Sequence, residues 1–197
     1  MPSRSKLRAR LRARRRALNP AQRKASALAL SRKLLAHPLF RRATRIACYL
    51  PVDGEMDTAP LLQRAWSMGK QIYLPVLTAS GALRFAPHSR GGRMRDNCFG
   101  IPEPVCHPRA RRSGRQLDLI LAPLVGFDRN GNRLGMGGGY YDRSFAFLKQ
   151  RHYWHKPRLL GLAYEFQRVA KLVSHPWDVP LSGVVTEQQI YFSRPPQ

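Results

Sequence analysis

Four of the five residues from Gly135 to Gly139 are glycine, within Gly126-Phe127-Asp128-Arg129-Asn130-Gly131-Asn132-Arg133-Leu134-Gly135-Met136-Gly137-Gly138-Gly139-Tyr140-Tyr141-Asp142. Glycine at that density lets backbone N–H groups converge on one point, because no side chain crowds the approach. An oxyanion such as phosphate is the natural occupant. Arg133 supplies a planar donor fork suited to phosphate oxygens. Tyr140 and Tyr141 offer faces on which a flat ring can stack. Asp142 would repel a phosphate unless a cation such as Mg²⁺ sits between them; otherwise it is a helix-start carboxylate or a partner for Arg143. The loop is neither a Walker loop, since no GxxxxGK[ST] is present, nor a dinucleotide fingerprint, since Tyr140 stands where GxGxxG needs its last glycine. By itself the segment reads equally well as a surface loop whose glycines make turns.

The flanking pattern says what holds this loop. Leu117–Ala122 is an apolar run short enough for a buried strand, and a helix is predicted from Tyr140 to about Lys149, so the loop from Pro123 to Gly139 joins strand to helix. Upstream, Leu7, Leu11 and Leu18 mark one stripe of a basic helix over about 4–17. Asn19-Pro20-Ala21-Gln22 then starts a second helix, with Asn19 as cap, Pro20 in the first turn and Gln22 reaching back, and it runs to about Ala36. Arg45–Leu50 reads as a strand closed by Pro51. Asp57 or Thr58 caps a helix through Leu61, Leu62, Ala65 and Trp66, and Gln71–Leu74 is a strand stopped by Pro75. Strand–helix–strand order implies a parallel pair. Leu83–Ala86, Leu159–Ala163, Val184–Thr186 and Gln189–Phe192 are further strands, Val169–Val173 is helical or irregular, and residues 87–116 form a long excursion with a turn at Phe99-Gly100-Ile101-Pro102. The whole is α/β, a class whose ligands gather at the carboxyl ends of the strands.

Charge bounds the partners. Against 35 Lys plus Arg stand 11 Asp plus Glu, a formal net of +24 over 197 residues. Such a surface attracts polyanions and adheres to nucleic acid without sequence preference, and it equally suits an enzyme of anionic substrates. No acid precedes Asp53, so residues 1–45 also read as a cationic nucleic-acid-binding arm. The Arg-rich start has the look of a presequence, but it flows into the second helix without a cleavage-like break. Arg10 to Arg16 are expected to form a solvated basic face. Three cysteines, Cys48, Cys98 and Cys106, fit reduced thiols in a cytoplasmic protein and lack a zinc pattern. No apolar run is long enough to cross a bilayer, and the length suits a single domain, 1–197.

The motif Phe127-Asp128-x-x-Gly131-x-Arg133-Leu134-Gly135-x-Gly137-x-Gly139-Tyr140-Tyr141-Asp142 resembles the signature of the 5-formyltetrahydrofolate cyclo-ligase family. The resemblance extends over nearly the whole chain. It takes in the basic first helix, Tyr49-Leu50-Pro51 with Glu55-Met56-Asp57-Thr58, Phe99-Gly100-Ile101-Pro102, Gly161-x-Ala163-Tyr164-x-x-Gln167 and Pro176-Trp177-Asp178. It implies a three-layer α/β/α sandwich around a mostly parallel sheet, a monomer, and a reaction that consumes ATP with Mg²⁺. The substrate implied is 5-formyltetrahydrofolate, with or without added glutamates. By the same resemblance Arg4, Ser5, Lys6, Leu7 and Arg8 join Arg133, Leu134, Gly135, Met136, Gly137, Gly138, Gly139, Tyr140 and Tyr141 in binding ATP. Arg133 and Tyr141 are cast as catalytic, and Asp142 and Asp178 as Mg²⁺ ligands. Leu50, Glu55, Phe99, Met136, Tyr140 and Tyr141 face the folate, although Leu50 reads equally as a strand-end core residue. Ser182 stands where relatives often place Asp, and Gly138 is expected to tolerate replacement.

Overall fold

The computed structural model describes residues 3–150 and 156–193; the ends of the expected 1–197 span and residues 151–155 lie outside them. The first helix, α1 (Arg4–Arg16), is capped by Ser3, whose hydroxyl accepts from the Lys6 N–H, and it buries Leu7, Leu11 and Arg15. Helix α2 (Pro20–Ala36) starts as expected: Asn19 and Gln22 exchange side-chain and backbone bonds in a full capping box. Such a cap contributes about 1 kcal/mol. A five-residue helix, α3 (Pro38–Arg42), follows at the His37-Pro38 break, where only a stop was expected.

Seven strands form the main sheet: β1 (Arg45–Ala47), β2 (Gln71–Leu77), β3 (Leu83–Pro87), β6 (Leu119–Pro123), β9 (Arg158–Leu162), β10 (Gly183–Val185) and β11 (Ile190–Phe192). Their order is β11-β10-β9-β6-β1-β2-β3. The five inner strands are parallel, and β3 and β11 pair antiparallel at the two edges. Two small hairpins stand apart, β4 (Met94–Asp96) with β5 (Pro102–Pro104), and β7 (Gly126–Phe127) with β8 (Arg133–Leu134). The long excursion and the glycine-containing loop each therefore hold a hairpin that the sequence pattern did not disclose.

The parallel pair β1 and β2 is joined by α4 (Ala59–Ser67), as the alternation required. Strand β2 does not stop at Pro75 but runs to Leu77. Its Tyr73 carbonyl accepts from Cys48, just past the end of β1, and Pro75 points the same way beyond that end, so its missing N–H costs no ladder bond. The first strand is shorter than the 45–50 expected, because after Ala47 the chain leaves the sheet for the site.

Alternate residues of the inner strands face opposite layers. Leu119 and Leu121 of β6 pack with Leu30, Leu34, Phe40, Leu61 and Leu62 of α2, α3 and α4. Ile120 and Ala122 pack on the other face with Phe85, Phe127, Phe145 and Leu148. This is the α/β/α sandwich, and each fully buried Leu or Phe contributes about 1.5–3 kcal/mol. A third cluster, Leu7, Leu11, Val125, Leu134 and Leu172, fastens α1 to the loops at the carboxyl end of the sheet. Residues 1–45 are thus not a free arm where they are described.

Candidate functional site

Strand order reverses between β1 and β6: from β1 the chain steps one way to β2, and from β6 it steps the other way to β9 and β10. A crevice opens at such a reversal, outside the carboxyl ends of the strands. The loop after β1 carries Leu50, Asp53 and Glu55 to one side of it. The loop after β6 returns through the β7–β8 hairpin and carries Arg133 and the glycines to the other.

The glycine segment is built to leave its donors uncommitted. Gly137 and Gly139 hold φ of 108° and 66°, values that an L side chain rarely adopts. Among the described residues no backbone N–H from Gly135 to Gly139 donates a hydrogen bond. Helix α5 (Tyr140–Phe145) is only six residues long and gives way to a 3₁₀ turn (Ala146–Gln150), instead of running as α-helix to Lys149. Donors for an anion therefore come from the loop itself. A Cβ at Gly138 would lie 2.5 Å from the Tyr140 ring, so a replacement there requires that ring to turn.

Helix α1 lies against this loop. Arg8 donates from Nε to the Gly135 carbonyl at 2.8 Å, and its guanidinium lies 3.9 Å from the position a Gly137 Cβ would take. Arg4 donates from Nη1 to Asp178 Oδ2 at 3.0 Å and to the Val173 carbonyl. Ser5 and Lys6 are exposed, whereas Leu7 and Leu134 are buried together and serve the site by packing.

Asp142 and Asp178 are brought close by Val179. The Val179 N–H and Arg133 Nη2 both donate to Asp142 Oδ1, at 3.0 and 2.6 Å, and Arg133 Nη1 donates to the Val179 carbonyl. The partner of Asp142 is therefore Arg133 and not Arg143, which instead bonds the Gly81 and Gly138 carbonyls. Burial alone would raise the Asp178 carboxyl, but the His175 N–H and Arg4 outweigh it and hold the group below its ordinary range. Each carboxylate keeps its second oxygen outside these bonds, which suits a hard cation. No group of three or more metal-binding side chains exists among the described residues. A site with one or two carboxylates, completed by water and phosphate, is the usual arrangement for Mg²⁺, so the residues present fit that ion.

On the opposite wall Glu55 is 8% exposed. Burial pushes its carboxyl up to about 7, with Arg15 opposing. Tyr141 reaches across from α5. Its phenol is raised above its ordinary value by burial and then by the Glu55 charge, so it stays protonated as a donor. The Arg133 guanidinium lies 5.9 Å from the Tyr141 ring centre. Phe99, carried by the β4–β5 turn, meets Tyr140 edge-on at 6.3 Å. Phe99 and Met136 are exposed, and Leu50 is half-buried against the core.

One participant departs from expectation. Arg15 is not on a solvated face but is 1% exposed, bonded to Asp53 and to the Leu124 carbonyl and 3.8 Å from Glu55. Arg12 also pairs with Asp53, at 2.7 Å. The signal was available: Arg15 stands four residues after Leu11 and eight after Leu7, on the buried stripe. Ser182 lies at the amino end of β9, where its hydroxyl accepts from Leu159, away from the crevice.

Fold and site together define an α/β enzyme with a basic helix clamped on a glycine loop beside a buried carboxylate. The 5-formyltetrahydrofolate cyclo-ligase family matches over residues 1–187. The chain is 38% identical to the 5-formyltetrahydrofolate cyclo-ligase of Escherichia coli over 89% of its own length and 95% of that protein. It is 40% identical to that of Haemophilus influenzae over 74% and 76%. The solution structure of Aquifex aeolicus 5,10-methenyltetrahydrofolate synthetase superposes with a TM-score of 0.82 at 30% identity, covering 98% of this chain and 94% of that one. The chain belongs to the 5-formyltetrahydrofolate cyclo-ligase family, whose chemistry is that of folate one-carbon units.

Proposed function

We propose that this chain, acting as one domain, closes 5-formyltetrahydrofolate to 5,10-methenyltetrahydrofolate with conversion of ATP to ADP and phosphate. The observation that carries the reading is the basic helix docked on uncommitted glycine-loop N–H groups, through Arg8 and Gly135, across the crevice from Glu55.

The chemistry explains why a nucleotide is needed. The formyl group on N5 is an amide, and its oxygen is a poor leaving group. That oxygen attacks the γ-phosphorus of ATP, ADP departs, and an imidoyl phosphate forms. N10 then attacks the activated carbon, the new ring closes, and the C–O bond breaks as phosphate leaves, taking up the N10 proton. The chain's task is to position the reactants and neutralise charge on the transferring group. The loop N–H groups with Arg8 and Arg4 receive the phosphates. Asp142 and Asp178 would hold Mg²⁺, which screens the phosphate charges when bound. Arg133 orients Asp142. Ionised Glu55 accepts the ring N–H donors of the pterin, Tyr141 donates toward the reacting groups, and Phe99, Tyr140 and Met136 wall the flat rings.

The test is turnover with ATP, Mg²⁺ and 5-formyltetrahydrofolate, followed by the near-ultraviolet absorbance of the amidinium product and by phosphate release in equal amount. ATP hydrolysis independent of the folate, or none at all, would sink the reading.

A further inference from the structure

Arg15 is a guanidinium buried in the middle of the molecule, and its bonds run to two loops at once. Nε donates to the Asp53 carbonyl at 2.9 Å, Nη2 to Asp53 Oδ2 at 2.9 Å, and Nη1 to the Leu124 carbonyl at 3.4 Å. Asp53 belongs to the loop after β1, and Leu124 begins the loop that leads to the glycines. Asp53 adopts φ of 51°, a conformation that costs energy for a side-chain-bearing residue and needs outside support. The helix backbone itself abuts the turn, since a Cβ on Gly54 would lie 3.2 Å from the Arg15 carbonyl oxygen. Glu55 closes the same turn, accepting from the Val52 N–H through Oε2 while Oε1 lies 3.8 Å from Arg15 Nη1.

We propose that Arg15 is a positioning residue that couples the two halves of the site: its guanidinium locks the Asp53 turn and faces Glu55, so the helix that presents Arg4 and Arg8 to the glycine loop also orients the carboxylate that meets the pterin. The inference rests on the cyclo-ligase reading. A guanidinium taken out of water is costly unless its donors are met, and four hydrogen-bond and ion-pair contacts to Asp53, Leu124 and Glu55 are how this one is kept. The charged and titratable groups around Glu55 are Arg15 and Arg12 from α1, Asp53 from its own loop, Cys48 and Tyr49 after β1, Tyr141 from α5 and Tyr164 after β9, whose hydroxyl donates to the Glu55 carbonyl. The arginines are the cations in this set; burial dominates and raises the Glu55 carboxyl, and they oppose it by favouring the ionised form.

The test compares wild type with Arg15→Met, Arg15→Lys and Asp53→Asn. We expect Arg15→Met to raise the KM for 5-formyltetrahydrofolate about tenfold, and the KM for ATP by a smaller factor. The acid limb of its kcat/KM profile should move to higher pH. Arg15→Lys, which keeps the charge but not the fork, should return the limb toward wild type without restoring KM. Asp53→Asn, which keeps the volume, should raise the folate KM even if Arg15→Met does not fold. Activity that falls only in proportion to the folded fraction, with both KM values and the pH limb unmoved, would overturn the inference and leave Arg15 a packing residue. A wild-type protein that forms no methenyl product would instead sink the functional reading itself.

Discussion

Arg133 and Asp142 meet side chain to side chain, with Nη2 2.6 Å from Oδ1, and the Val179 N–H approaches the same oxygen. Arg133 is nearly buried, and both its terminal nitrogens are engaged by Asp142 and Val179. In the proposed reading it aims the carboxylate. Arg133→Ala should cost about 3 kcal/mol of stability, because a partly buried charge loses its partner. The Mg²⁺ concentration needed for half-maximal rate should rise with it. Urea unfolding and a metal titration read the two effects; a change confined to the KM for ATP would show direct phosphate contact instead.

Asp142→Asn keeps an oxygen that accepts from Arg133 and Val179 and removes the negative charge. Turnover should fall and the Mg²⁺ requirement rise, while the melting temperature changes little. An unchanged metal titration would make Asp142 a structural group.

Arg8 touches the glycine loop without being buried. Arg8→Ala should weaken ATP by about 1–3 kcal/mol, the range of a charge-assisted hydrogen bond. Initial rates at varied ATP should show the loss, with the folate KM little changed.

Glu55 gives a pH dependence of opposite sign for stability and for function. Its carboxyl titrates at about 7 in the folded chain against an ordinary value of 4.5. Between those values the folded state holds a proton that the unfolded chain has released. Stability from this group is thus complete below 4.5 and is lost as pH rises through about 7, up to about 3 kcal/mol. Glu55→Gln should therefore be the more stable protein at pH 8 by chemical denaturation. It should also bind the folate poorly, and the wild-type acid limb near pH 7 should vanish from its profile.

At Gly138 a methyl group would lie against the Tyr140 ring, which is itself in contact with Phe99. Gly138→Ala should raise the folate KM severalfold by turning that ring, with a loss of stability below about 1 kcal/mol. Substrate titration beside a melting curve separates the two.

Much of this was legible in the sequence because short-range physics wrote it. Asn19, Pro20 and Gln22 declared the start of α2, and the apolar run before Pro123 declared the central strand. The glycine spacing declared the loop whose N–H groups are left open. What could not be read was set by distant partners. Pro75 looked like a strand end because nothing local shows that β1 stops short of it. Arg15 looked solvated because its neighbours in the chain are arginines, while the carboxylates that hold it lie thirty-eight and forty residues on. Pairing with adjacent Arg143 was one of the alternatives to a metal role for Asp142, yet that arginine turns back to Gly138 and Asp142 pairs with Arg133.

Of the eleven acidic side chains, ten accept a hydrogen bond or ion pair among the described residues. Much of the negative charge is spent on internal turns and clamps, while the chain as a whole carries a net charge of +24. Two copies that drift together in dilute buffer therefore repel each other through their net charge, and added salt, which shortens that repulsion to within about 10 Å at 0.1 M, is what lets them approach.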